Sequence, residues 1–206
     1  MLFKRINFSS ATTPENYQEG IENELVNQTS KTSVPPGGKQ MTVFLDDLSM
    51  PYVNDWGDQE TLEIVRQLMN QKGLYFLHKD QRGDFRAILK LKFVACMNHP
   101  GGGRNDIPSR LKRQFFSLNM TAPSTRSIEN IYGAILSALI TTKKYSQEVV
   151  NMRTQLIDAT ITLWEQVGKR LLPTPAKFHY TFNIRELARV FGGIATVAQQ
   201  DKYKVI

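Results

Sequence analysis

The sequence predicts an α/β chain in which a parallel-sheet lobe is followed by an all-helical lobe. Three observations carry that prediction. Met41-Thr42-Val43-Phe44-Leu45 runs apolar and β-branched without alternation and stops at Asp46-Asp47, which reads as a strand buried on both faces of a helix-flanked parallel sheet. Leu91 to Met97 repeats the pattern and ends at Asn98. Beyond Ala122-Pro123-Ser124 the apolar residues keep helical spacing.

Taken in order, Phe3 to Ser10 reads as a strand. Thr13 and Pro14 then supply an N-cap and a first helical residue for a helix running to about Gln28. Ser30 to Gln40 reads as a polar loop. Its Pro35-Pro36-Gly37-Gly38-Lys39 only faintly resembles a phosphate-binding loop, because Gln40 stands in place of Ser/Thr, Ser33 in place of the first Gly, and a strand follows. A helix is expected from Glu60 to Gln71 with Leu62, Val65, Leu68 and Met69 on one face, ended by Gly73. Leu74–Leu77 and Asp84–Leu89 suggest a hairpin across 79–83. A glycine-rich stretch, Gly101 to Gly103, leads into a short helix carrying Arg110 and Arg113 on one face. Phe115 to Met120 reads as a further strand and Ala122-Pro123-Ser124 as a hinge, giving lobes 1–122 and 123–206.

In the second lobe Ile128, Ile131, Tyr132, Ile135, Leu136 and Leu139 mark one helix. Val149, Met152, Leu156, Thr160, Leu163 and Val167 mark another. Pro173-Thr174-Pro175 breaks the chain, and Asn183 with Glu186 forms a capping box for a third helix bearing Leu187, Ala188, Phe191 and Ile194.

The 206 residues suffice for one core or for two lobes, and a composition of 41% hydrophobic and 22% charged residues is that of a globular chain. The net charge of +7 favours anionic partners such as nucleotides or nucleic acid. Cys96, the lone cysteine, reads as a reduced, buried and inert thiol, which points to an intracellular compartment. His78, His99 and His179 have no metal-ligand spacing, and Lys4 and Arg5 read as surface charges. No apolar segment approaches the roughly 20 residues of a membrane span. The strand-like start at Met1, with no signal peptide, suggests a piece of something longer.

Ligands of parallel sheets bind beyond the carboxyl ends of the strands. Asp46 and Asp47 are therefore placed to hold Mg²⁺ and to orient a water near a phosphate; alternatively they only end the strand and cap its turn.

The order of parts resembles an AAA+ ATPase module. Val43-Phe44-Leu45-Asp46-Asp47-Leu48-Ser49-Met50-Pro51, His99-Pro100-Gly101-Gly102-Gly103-Arg104-Asn105-Asp106-Ile107-Pro108 and Leu172-Pro173-Thr174-Pro175-Ala176-Lys177-Phe178-His179-Tyr180 are similar to the third AAA+ module of dynein heavy chains of the axonemal type. Asn7-Phe8-Ser9-Ser10 and Trp56-Gly57-Asp58-Gln59 extend the resemblance over nearly the whole chain.

The resemblance implies a partial P-loop NTPase module with ATP or ADP and Mg²⁺ as cofactors. It makes Asp46 the Walker-B metal ligand and puts Asp47 where many AAA+ modules carry a water-polarising glutamate. Asn98 matches sensor-1, Arg110 and Arg113 the arginine-finger region that serves a neighbouring module, and Arg185 sensor-2. Asn98 could instead cap a turn, Arg110 and Arg113 form a solvated basic face, and Arg185 pair with an acid. Implied partners are neighbouring AAA+ modules and, through the parent chain, intermediate and light chains and microtubules; the implied location is the cytoplasm, cytoskeleton and ciliary or flagellar axoneme.

Two departures stand out. The sequence holds no Walker A, so the chain alone is expected to be inactive and to fold poorly. Asp47 is also one methylene shorter than Glu, and a misplacement of about 1 Å can cost on the order of a hundredfold in rate, so slow hydrolysis or nucleotide sensing is expected. Two rival classes stay open. In one, the +7 charge and the Gly101–Arg113 stretch clamp nucleic-acid phosphates, although the aromatics fall at core-like positions. In the other, the chain is a structural ring segment without nucleotide.

Overall fold

The computed structural model describes residues 1–77, 83–101, 103–143 and 145–199. They fall into two compact units, Met1–Leu118 and Asn119–Ile206. No helix of the described residues is long and apolar enough to cross a membrane.

The first unit is built on a parallel three-stranded sheet of β1 (Leu2–Asn7), β4 (Met41–Asp46) and β7 (Leu91–Ala95), in the order β1-β4-β7. The register pairs Asn7 with Asp46 and Leu45 with Ala95. Met41, Val43 and Leu45 are fully buried, packed with Tyr17 and Ile21 of α1 (Pro14–Glu22) and with Leu62, Val65 and Leu68 of α2 (Glu60–Gln71). Each such side chain contributes about 1.5–3 kcal/mol when removed from water. Thr42, Phe44 and Asp46 on the opposite face are only half-buried, and β7 alternates between half-buried and exposed. The expectation of strands buried on both faces is corrected: α1 and α2 both cover the Val43 side, and the other side shows Phe3 and Val94 to solvent.

Between these strands lies a mixed sheet of β2 (Val26–Thr29), β3 (Thr32–Val34), β6 (Phe85–Ile88) and β5 (Gly73–Tyr75), in the order β2-β3-β6-β5. Thr13 caps α1 as expected, its hydroxyl accepting from the Asn16 amide at 3.2 Å. The helix ends at Glu22 and not near Gln28, and the expected loop from Ser30 to Gln40 includes a strand. Val26, Thr29, Thr32 and Val34 are β-branched, and an antiparallel ladder suits them better than a helical turn. Pro36–Gly38 form a tight turn in which Gly37 and Gly38 take left-handed φ of 65° and 64°, and the Lys90 ammonium donates to the Gly38 carbonyl at 3.0 Å. The Pro35–Lys39 stretch is thus a connector into β4, as its failed match to a phosphate-binding loop implied.

Helix α2 runs from Glu60 to Gln71 as predicted, but its left-handed terminator is Lys72, at φ 54°. Gly73 serves packing instead: a Cβ there would lie 2.3 Å from the Phe85 ring and 2.5 Å from the Arg86 carbonyl. β5 and β6 are antiparallel, as the hairpin reading required, while the turn residues 79–82 and His78 lie outside the described residues. After α3 (Ser109–Lys112), Phe116, Leu118 and Met120 are exposed and in no strand. The expected strand Phe115–Met120 does not form, because no strand among the described residues pairs with it.

The second unit holds α4 (Thr125–Lys143), α5 (Gln147–Arg170) and α6 (Ile184–Gln199). Its core is Ile128, Leu136, Ile157, Ile161, Leu187 and Phe191, with Tyr132 stacked on Phe191 at 4.2 Å between ring centroids. The stripe expected to be buried on α5 is corrected, since Val149, Met152, Leu156 and Leu163 are exposed. The buried face is the neighbouring one, through Ile157 and Ile161. Arg153 disguises it in the sequence, yet that guanidinium is satisfied by the Ser137 hydroxyl at 2.6 Å. On α4 Ile131 and Ile135 are likewise exposed, and on α6 so is Ala188. The capping box is half formed: Asn183 Oδ1 accepts from the Arg185 amide at 2.8 Å, whereas Glu186 pairs with Arg189.

Gly73→Ala is expected to destabilise the first unit by about 3 kcal/mol or more, because the clash includes backbone and cannot relax by one rotamer change. Chemical denaturation read against Gly20→Ala, where a Cβ would meet only the end of the Ile6 side chain at 4.0 Å, checks this. Equal losses in both variants would refute the packing role.

Candidate functional site

The parallel register brings the carboxyl ends of β4 and β7 together. Asp46 is the last residue of β4, and its two carboxylate oxygens have separate partners. Oδ1 accepts from the Cys96 thiol at 2.7 Å, and Oδ2 pairs with the Arg5 guanidinium reaching from β1. Arg5 lies 5.9 Å over the Phe44 ring. The Cys96 hydrogen bond first, and Arg5 second, hold the Asp46 carboxyl below the usual carboxylate range. Burial first, and the Asp46 contact second, push the Cys96 thiol up, so it remains a donor. Two expectations are corrected here. Cys96 is exposed and engaged, not a buried inert thiol, because it lies just past the end of β7, an outer strand of the three-stranded sheet. Arg5 is no idle surface charge, because the β1–β4 register sets it diagonally across from Asp46.

Asp47 follows at φ 55°, a left-handed conformation that Asp tolerates better than most residues. It is exposed, and its carbonyl accepts from the Met50 amide at 3.0 Å. The loop it starts is fastened to the loop beyond β7 at three points. The Leu48 amide donates to the Cys96 carbonyl at 3.1 Å, the Asn105 amide to the Ser49 carbonyl at 2.9 Å, and the Asn105 side chain to the Pro51 carbonyl at 2.9 Å. Asn98 is in this second loop, exposed, with its carboxamide against the Arg104 guanidinium, which as a pure donor calls for the amide oxygen on that side.

Arg110 and Arg113 differ more than their shared helical face suggested. Arg110 pairs with Glu63 of α2 at 3.3 Å, and Glu63 also holds Arg66 at 2.8 Å. Arg113 caps the end of α3, is exposed, and has no ion pair among the described residues. Arg185 is exposed in the first turn of α6, in the second unit, also without an ion pair among the described residues. The first unit therefore gathers Asp46, Asp47 and Asn98 into one pair of tied loops and carries Arg110 and Arg113 on α3. Sequence reasoning missed Arg5, Cys96 and Arg104, although strand pairing read in register would have signalled the first two.

Among the described residues no group of three or more His, Cys, Asp or Glu could enclose a metal. One strand-end carboxylate with an exposed neighbour instead fits Mg²⁺, which usually takes one or two carboxylates and completes its shell with phosphate oxygens and water.

Residues 1–123 match the profile of the P-loop containing dynein motor region, and residues 156–202 match an AAA+ lid domain. The chain is 48% identical over 202 residues to the dynein gamma chain of the flagellar outer arm of Chlamydomonas reinhardtii, which covers 98% of this chain and 4% of that protein. It is 48% identical to mouse dynein axonemal heavy chain 5 and 47% identical to mouse dynein axonemal heavy chain 8, each over 97% of this chain and 4% of the relative. The chain thus spans about 4% of the length of these relatives.

The short helix that carries Arg113 is tethered by the pair between Lys112 and Asp106, at 2.7 Å. The Lys112 hydrogen bond holds the Asp106 carboxyl below its usual value. A carboxylate lowered in this way stabilises the fold above its unfolded value of about 3.9 and loses that contribution as pH falls through the folded value. Lys112→Ala is expected to return the Asp106 titration midpoint upward, read by carboxyl NMR. An unmoved midpoint would show that the pair does not persist in solution.

Proposed function

Because this chain belongs to the dynein heavy-chain family and has the AAA+ fold of its motor region, we propose that it is a nucleotide-binding regulatory module of an axonemal dynein motor. In this reading 1–122 form the large lobe and 123–206 the lid, and the motifs favour the third module of the ring. The parent would be an ATP-driven microtubule motor of the cilium or flagellum, working with neighbouring AAA+ modules and with intermediate and light chains.

The observation that carries the reading is the pair of tied loops at the ends of β4 and β7, which hold Asp46, Asp47 and Asn98. Asp46 would hold Mg²⁺, which neutralises charge on the phosphates when bound. The carboxylate that would hold it is the one now held by Arg5 and Cys96. Asp47, exposed and turned by its left-handed backbone, would orient the attacking water, with a shorter reach than Glu. That reach favours slow turnover or sensing. Asn98 would contact the terminal phosphate or that water. Arg185 would read phosphate from the lid. Of the two candidate fingers Arg113 is the better one, because Arg110 is already paired with Glu63.

In a dynein heavy chain carrying this segment, Asp46→Ala is expected to weaken nucleotide binding in Mg²⁺ but not in EDTA. Identical affinities in the two buffers for wild type and variant would sink the metal assignment. Arg113→Ala should slow nucleotide turnover at the adjacent module by about 10³-fold or more if it supplies a finger, and Arg110→Ala should do less. A loss confined to this module's own nucleotide affinity would remove the finger role.

A further inference from the structure

The loop between Asn98 and Asn105 reverses within a few residues. Gly101 and Arg104 exchange backbone hydrogen bonds of 3.0 and 3.2 Å. Gly101 and Gly103 have φ of 123° and 83°, and a Cβ at either would meet nothing within 4 Å. These glycines are therefore required by backbone conformation and not by crowding. The reversal returns the Arg104 side chain to the start of the loop, where its Nε and Nη2 lie 3.2 and 3.1 Å from one terminal atom of the Asn98 carboxamide; a guanidinium only donates, so that atom is assigned as the oxygen. Just beyond, Asn105 fastens the loop to Ser49 and Pro51, next to the two acids.

A carboxamide is ambiguous, with an oxygen that accepts and an NH₂ that donates. Here the oxygen so assigned is engaged by two guanidinium N–H groups, which leaves the two N–H donors for a ligand. We propose that Arg104 is a positioning residue that makes Asn98 a donor-only reader, so that Asn98 recognises a terminal phosphate oxygen and does not accept a hydrogen bond from the attacking water. The inference rests on the nucleotide-binding reading and decides between the two contacts that reading allows Asn98. Two N–H groups of one planar guanidinium on a single oxygen fix the amide's orientation as well as its polarity. A lysine ammonium, a point charge on a flexible stem, would not.

The test uses a dynein heavy chain carrying this segment and fluorescent ATP and ADP analogues as probes, with binding at this module read in a background whose other nucleotide sites are disabled. Asn98→Ala, Arg104→Ala, Arg104→Lys and the double variant N98A/R104A are compared. Both alanine variants are expected to lose the preference for ATP over ADP by about tenfold, the scale of one charge-assisted hydrogen bond, with ADP affinity kept. Arg104→Lys should not restore the preference, and the double variant should be no worse than either single one. If N98A loses the preference and R104A keeps it, the positioning role is overturned while the nucleotide-sensing reading survives. If N98A keeps it, the sensing reading itself fails and the inference falls with it. Equal losses of ATP and ADP affinity in R104A would reduce Arg104 to a structural clasp of the loop.

Discussion

Everything in the first unit depends on β4 being paired in parallel on both sides while burying only one face. Parallel pairing aligns the carboxyl ends of three strands, so Asn7, Asp46 and the residues after Ala95 arrive at the same edge. The buried face fixes register: a slip of one residue would turn Met41, Val43 and Leu45 out to water and Asp46 into the core. Three fully buried side chains at about 1.5–3 kcal/mol each outweigh any single polar contact at the strand ends. The core therefore positions the acids, and the acids do not position the strand.

This hierarchy explains what could be read from the sequence. The apolar run of β4 and its acidic stop, α2, the capped start of α1 and the three helices of the second unit all have local signals: composition, period and capping chemistry. Asp46, Asp47 and Asn98 were legible for the same reason, being ends of apolar runs. What escaped depends on who lies beside whom. Val26–Val34 forms strands only because a neighbouring strand, β6, offers a ladder. The α5 stripe was misjudged because two apolar faces compete there, and Arg153 marks the true one as polar until its Ser137 partner is known. Arg5 became interesting only through register, and Arg104 only through a loop reversal across glycines. The periodic pattern of Phe115–Met120 had no partner strand to make it real.

The two candidate fingers illustrate the same limit. Their spacing of three residues correctly places both on α3, yet spacing says nothing about Glu63, which arrives from α2, forty-seven positions earlier than Arg110. A partly exposed pair of this kind is worth only about 0–1 kcal/mol. It is still enough to orient one guanidinium at home and leave the other facing solvent.

The same magnitude governs Asp46. Its pair with Arg5 is made at the open face of the sheet, where Arg5 is 56% exposed, so it too is worth little in stability. The thiol hydrogen bond from Cys96 is neutral on the donor side and weaker than an N–H donor would be. Together these contacts keep the carboxylate ionised and pointed along the strand end without locking it there. A divalent cation presents twice the charge of Arg5, and phosphate oxygens would join in ligating it. In the nucleotide-binding reading it would compete with a solvated guanidinium for one carboxylate oxygen. Arg5 would keep a partner if it gave up that oxygen, because its guanidinium carbon lies 5.9 Å over the Phe44 ring. The acid at the end of β4 is thus held weakly by its own chain, as the proposed metal ligand would need to be.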